Sequence, residues 1–163
     1  MATYKLAQVM AQTRLLASQY REATGQSLPV TVELARFDAI TLLGLKEVPG
    51  AEAEATLVDD NSKEFHVQIK GRVIFPGGKS RQMVGQLNLT ANWDFTVLVI
   101  YNPDYQPTAI YSAGRQIVEE AIKETKNNKR GAMTVAKFKA IGELIWETQD
   151  KSDEQSLDRQ SAS

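Results

Sequence analysis

The chain has 163 residues, 42% hydrophobic and 24% charged, which suits one globular domain with a core and a tail. It has no cysteine and one histidine, so disulfides, thiol nucleophiles, cysteine-based zinc sites and histidine-cluster metal sites are excluded. The net charge of −1 gives no overall pull toward a polyanion. Residues 3–23 place Leu6, Val9, Met10, Leu15 and Leu16 near helical spacing and predict a helix. "TGQSLP" breaks it, with Gly25 as a stop and Ser27 as a cap for the next element. "PVTVELARFDAITLLGL" predicts a second helix, with Leu34, Phe37, Ile40 or Thr41, and Leu45 on one side. "KEVPGAE" is a turn.

"AEAEATLVDDNSKEFHVQIKGR" reads as a β-hairpin turning at "DDNS". Ala53, Ala55 and Leu57 share one face with Phe65, Val67 and Ile69. Glu52, Glu54, Thr56 and Val58 share the other with Glu64, His66, Gln68 and Lys70. A turn centred on Asn61 sets Glu54 opposite Gln68, and one centred on Asp60 sets Glu52 there. "RVIF" extends the strand, "PGGKS" is a loop and "MVGQLNL" a short mixed segment. "DFTVLVIYN" is the most apolar, β-branched run and predicts a central strand. A strand over Thr108–Tyr111, a helix capped by Ser112, a basic loop "KNNKRGAM" and a final helix "VAKFKAIGELIWE" capped by Thr134 follow. Val135, Phe138, Ile141 and Ile145 form the predicted core side of that last helix. Trp93 and Trp146 read as core. The fold class expected is α/β of the α+β kind: a mixed sheet of four or five strands with a central hairpin, flanked by helices. The expected organisation is an N-terminal helix over 1–24, a domain over 25–148 and a disordered acidic tail over 149–163.

No apolar run approaches the ~18 residues of a membrane span. The opening "MATYKLAQVMAQTRLL" lacks the basic-then-apolar order of a signal peptide, so a cytoplasmic protein without membrane contact is expected. Charge is uneven along the chain. Between Phe65 and Trp93 there is no acid but there are Lys70, Arg72, Lys79 and Arg81. Between Lys126 and Lys139 there is again no acid, against Lys126, Lys129, Arg130, Lys137 and Lys139. Such local patches bind phosphates whatever the total charge. "GGKS" lacks the frame of a nucleotide-binding loop, and His66 reads as a surface residue.

Phosphodiester hydrolysis needs an activated water and neutralisation of charge on the phosphate. A hard divalent ion held by carboxylates and a nearby lysine supply both. The hairpin offers that set on one face: Glu52 or Glu54, then Gln68 and Lys70. Asp59 and Asp60, in the turn about three or more residue rises of 3.3 Å from Lys70, are poorer candidates.

This arrangement resembles the PD-(D/E)xK, or restriction-endonuclease-like, nuclease superfamily. More closely, it resembles a small bacterial family of uncharacterised proteins carrying "LLGL", a "PGYDA"-like stretch, "QIKGR" and "RGALSVxxFKxIGxxVW". Here the blocks are "LLGL" at 42–45, "PGAEAEA" at 49–55, "QIKGR" at 68–72 and "RGAMTVAKFKAIGELIW" at 130–146, so the similarity covers roughly 30–147. The strand acid is Glu here in place of Asp. Arg36 stands where a helical Glu is expected, with Glu33 one turn earlier and Asp38 two residues later. The resemblance implies a Mg2+ or Mn2+ ion held by Glu52 or Glu54, Gln68 and the Ile69 carbonyl. It implies that Lys70 orients or deprotonates water, supported by Glu33. Arg72, Lys79, Arg81, Lys129, Arg130 and Lys137 would contact DNA phosphates. The expectation is a metal-dependent nuclease-like domain acting on DNA. The alternative is a non-catalytic nucleic-acid-binding or interaction module. A homodimer or a specificity-giving partner subunit is the other association left open.

Overall fold

The computed structural model describes residues 3–49, 54–77, 82–125 and 131–149. Two helices come first, α1 (Thr3–Thr24) and α2 (Thr31–Leu43). The strands β1 (Lys46–Glu47), β2 (Glu54–Val58), β3 (Glu64–Val73), β4 (Met83–Gln86), β5 (Phe95–Tyr101) and β6 (Pro107–Gly114) follow. The chain then forms α3 (Arg115–Glu124), β7 (Ala132–Thr134), α4 (Val135–Ile141) and β8 (Glu143–Glu147). The fold is mixed α+β. Its main sheet has six strands in the order β1-β2-β3-β5-β6-β8, and β4 pairs with β7 in a small second sheet. None of the described helices is long and apolar enough to cross a membrane.

At the centre lies β5, every residue of which is buried except the half-buried Phe95. It pairs in parallel with β3 and antiparallel with β6. A strand covered on both faces needs apolar side chains of both parities, and "FTVLVIY" supplies them. Val67, Ile69, Val73, Val97, Val99 and Tyr101 face the cluster that holds Leu34, Ala35 and Ala39 of α2 and Ala17 of α1. Leu98, Ile100 and Ala113 face the opposite cluster, with Val118 of α3, Phe138 of α4, Val84 of β4 and Met133 of β7.

The second helix buries Leu34, Ala35, Asp38 and Ala39. That stripe differs from the predicted one through Phe37, because small side chains let the helix lie close to β3. At Gly71 a Cβ would stand 2.6 Å from the Ala35 Cβ, so this strand position has room only for glycine. Asp38 lies in the same core. It accepts from Nη1 of Arg14 at 2.7 Å, from Nη2 of Arg14, and from the Tyr101 hydroxyl at 2.6 Å. Nη1 of Arg14 also donates to the Tyr105 carbonyl at 2.9 Å. One carboxylate thereby ties α1, α2, β5 and the turn after it.

Several local expectations change. Ser27 does not cap α2: Val30 takes the N-cap without a side-chain bond, and the Ser27 hydroxyl accepts from Arg21. Ser112 lies inside β6, opposite Val97 and Glu143, and Gly114 precedes α3. Thr134 does cap α4, accepting from the Lys137 amide at 3.1 Å. That helix ends at Ile141. The reason is Gly142, whose Cβ position lies 2.8 Å from the Phe138 carbonyl and 2.9 Å from that of Ser112. Here the chain is drawn against β6, and "ELIWE" becomes strand β8, paired with it. Ile145 is therefore a 41% exposed strand residue and not part of a helical core side. The outward side chains of α1 include Leu6, Val9, Leu15 and Leu16, while Met10, Arg14 and Ala17 turn inward. The tail assigned to 149–163 lies outside the described residues beyond Gln149.

Removing one partner of a buried ion pair leaves an uncompensated charge. Asp38→Ala should therefore cost about 3–5 kcal/mol, and Gly71→Ala, which overpacks without a charge, about 1–3 kcal/mol. Urea unfolding of the two variants should return that order.

Candidate functional site

The β2–β3 register settles which acid faces Gln68. Glu54 and Gln68 are direct partners, as are Thr56 and His66. The turn is thus centred on Asn61, and Asp59 closes it by accepting from the amides of Asn61 and Lys63, both at 2.9 Å. Directly opposed residues project from the same face. Glu54, His66, Gln68, Lys70 and Arg72 therefore share the face turned away from α1 and α2.

That face is less wet than alternation alone predicts. Gln68 is only 8% exposed, and its Oε1 accepts from the hydroxyl of the fully buried Thr96 at 3.0 Å. In the parallel register Thr96 is the β5 partner of Gln68. Sequence reading passed over Thr96, whose signal is a single hydroxyl inside an otherwise apolar run. The bond leaves one lone pair on the amide oxygen and fixes where it points.

Lys70 comes two residues further along the same face and is half-buried. Burial holds its ammonium below the ordinary pKa of 10.5, and the neighbouring charge of Arg72 acts in the same direction. None of the ion pairs among the described residues includes Lys70. A partly desolvated cation with no ion-pair partner among the described residues is a ready receptor for an anion.

Arg72 serves the fold. Its Nε donates to the Met83 carbonyl at 2.7 Å, Nη1 to the Gly71 carbonyl at 2.6 Å, and Nη2 to the Val84 carbonyl. Gly85, at φ 94°, leaves room for the guanidinium: a Cβ there would stand 2.6 Å from Nη2. Two of these bonds hold β4 against β3 and the third closes on the strand's own backbone, so Arg72 is a brace beside the site before it is a phosphate contact.

The other predicted residues divide. Glu33 is exposed in the first turn of α2, the helix on the opposite side of β3, so the sheet separates it from the Lys70 face. Asp38 is on that far side too, committed to Arg14 and Tyr101. Arg36 pairs with Glu47 at 2.8 Å. Lys137 sits on α4, 3.7 Å from the Glu124 carboxylate. The Ile69 side chain is in the core on the α2 side, so only its backbone carbonyl can act as a ligand. Glu52, Lys79, Arg81, Lys129 and Arg130 lie outside the described residues.

Among the described residues no three Asp, Glu or His side chains gather. A magnesium ion that keeps most of its water and takes substrate phosphate asks for only one or two protein carboxylates. Glu54, the β2 partner of Gln68, supplies one such carboxylate, and among the described residues no larger cluster of acids joins it. No family model matches the chain, and no curated protein does.

A lysine depressed by burial binds fewer protons in the folded than in the unfolded chain, between its folded pKa and 10.5. Unfolding free energy should therefore rise with pH across that window, and Lys70→Met should remove that part of the slope. Carbon-13 NMR of the reductively methylated protein should place the Lys70 midpoint below the ordinary lysine value.

Proposed function

We propose that this chain is a nuclease-type domain that hydrolyses phosphodiester bonds in DNA on the β2–β3 face. The observation that carries the reading is Lys70: half-buried, without a carboxylate partner among the described residues, and two residues beyond the opposed pair Glu54 and Gln68. The order acid, amide, lysine on adjacent strands is also the one for which the QIKGR resemblance would account.

Magnesium or manganese, bound through Glu54 and Gln68, would supply Lewis acidity and lower the pKa of a water. The chain's own residues do the rest. Thr96 fixes the Gln68 amide, so that its free lone pair is aimed before substrate arrives. Glu54 supplies the negative charge that a cation requires, and Glu52 is the second acid to test. Lys70 meets the phosphate as a cation that has no ion-pair partner among the described residues. Its partial burial strengthens that interaction over the same contact in water. Toward higher pH its depressed pKa lets a growing neutral share accept a proton from the attacking water. Arg72 keeps β4 and the backbone beside Lys70 in place.

A specific observation favours the second reading, a non-catalytic nucleic-acid-binding module. Glu33 is across the sheet, so the described residues give the site one carboxylate. Cleavage assays on plasmid DNA, linear DNA and RNA with Mg2+ or Mn2+ separate the two. Lys70→Ala should lower the DNA cleavage rate by about 10²–10³-fold with the circular dichroism of the folded chain retained. Glu54→Gln and Glu52→Gln then identify the acid. Cleavage unaffected by Lys70→Ala would remove Lys70 from the site. Metal-independent DNA binding with no cleavage would establish the binding module.

A further inference from the structure

The outer face of α1 has a pattern the proposed site does not use. Leu6, Val9, Thr13, Leu16 and Tyr20 are spaced three, four, three and four residues apart, which is the seam of a heptad pair. Leu6, Val9, Leu16 and Tyr20 are 42%, 53%, 59% and 37% exposed, and Leu15 beside them is 60% exposed. The Thr13 hydroxyl donates to the Val9 carbonyl at 2.8 Å, so this position adds a methyl and no free donor. Meanwhile the inner face of the same helix is already occupied. Met10 and Ala17 pack in the core, and Arg14 is held by Asp38.

Burial of Arg14 has an electrostatic effect on the outside. It is the only charged side chain between Leu6 and Tyr20. With its guanidinium turned inward, α1 contributes no charge of its own to the outer surface of those four turns, and the Asp104 carboxylate touches them at Ser18, off the Leu6–Tyr20 seam. A helix of 22 residues is about 33 Å long. The stripe from Leu6 to Tyr20 covers about 21 Å of it, and an apolar, uncharged stripe of that length is unusual on a surface that meets only water.

We infer that α1 is a self-association surface, and that its occupant is the α1 of a second copy of this chain about a two-fold axis. An uncharged seam discriminates against nucleic acid and against charged peptides, and it meets its own image without like-charge repulsion. The C-terminal segment 150–163 is a poor alternative: it has four acids, two bases and a single leucine. The other exposed apolar edge, β8, carries Glu143 and Glu147 at its ends. Antiparallel self-pairing there would set like charges opposite one another.

Analytical ultracentrifugation of the full chain at micromolar concentration tests this. The wild type should sediment as a dimer. V9E/L16E should weaken association by at least about 100-fold and give a monomer with unchanged circular dichroism and thermal midpoint. If the charged pair perturbs folding, V9Q/L16Q provides the same test with uncharged helix formers. I145E on β8, and truncation after Gln149, should leave the dimer intact. A wild type that stays monomeric overturns the inference, as does a dimer that survives both α1 variants or is lost in I145E or the truncation. A monomer that floats with lipid vesicles through Leu16 overturns it too, assigning the stripe to membranes.

Discussion

Asp38 accepts hydrogen bonds from Arg14 and Tyr101 inside the core, and much of the remaining geometry follows from that contact. An isolated carboxylate at this depth would be too costly to keep ionised. Paired with a guanidinium and a phenol it becomes a three-way tie. Burial raises the pKa of the Tyr101 hydroxyl, as does the adjacent Asp38 charge, so it stays a donor. The tie fixes α2 against α1 at a position where Ala35 touches Gly71. That contact in turn sets β3 flat beneath the helix. The reactive-looking face of β3 is thus defined by what is locked on its other side.

On the open side, the polar residues form a graded series. Gln68 is closed off and bonded to Thr96, Lys70 is half-covered and has no ion-pair partner among the described residues, and Arg72 is tied to carbonyls of β4. Only the middle member keeps its charge free for a ligand. Its neighbours hold still the strand segment that carries it. This ordering explains why a single lysine, without a described carboxylate partner, is tolerated in a partly buried place.

Much of the fold was legible in local pattern. The hairpin, the apolar β5, the cap at Thr134 and the helix over 3–24 all follow from signals a few residues long. What was not legible depended on distant partners. Alternation gives the parity of Gln68 but cannot say that Thr96, 28 residues away, lies beside it. Asp38 looks like a candidate acid until Arg14, 24 residues earlier, is brought against it. The helical pattern through "FKAIGELIW" overrode Gly142, because the carbonyls that exclude a Cβ there belong partly to β6. For the site, sequence identified the face and the strand residues. It left Glu52 and Glu54 as equals, and it had no means of saying which side of the sheet the helix that carries Glu33 would cover.

The parallel pairing of β3 with β5 has a consequence for how the molecule is built in time. The β2–β3 hairpin closes over a short turn and can form early. Its partner β5 arrives only after residues 74–94 have crossed over, a longer loop with a larger closure cost. Until then Gln68 has no Thr96 and Lys70 is an ordinary solvated side chain. The altered proton affinity of Lys70 is therefore a property of the completed sheet, acquired late, and a nascent or partly folded chain lacks it.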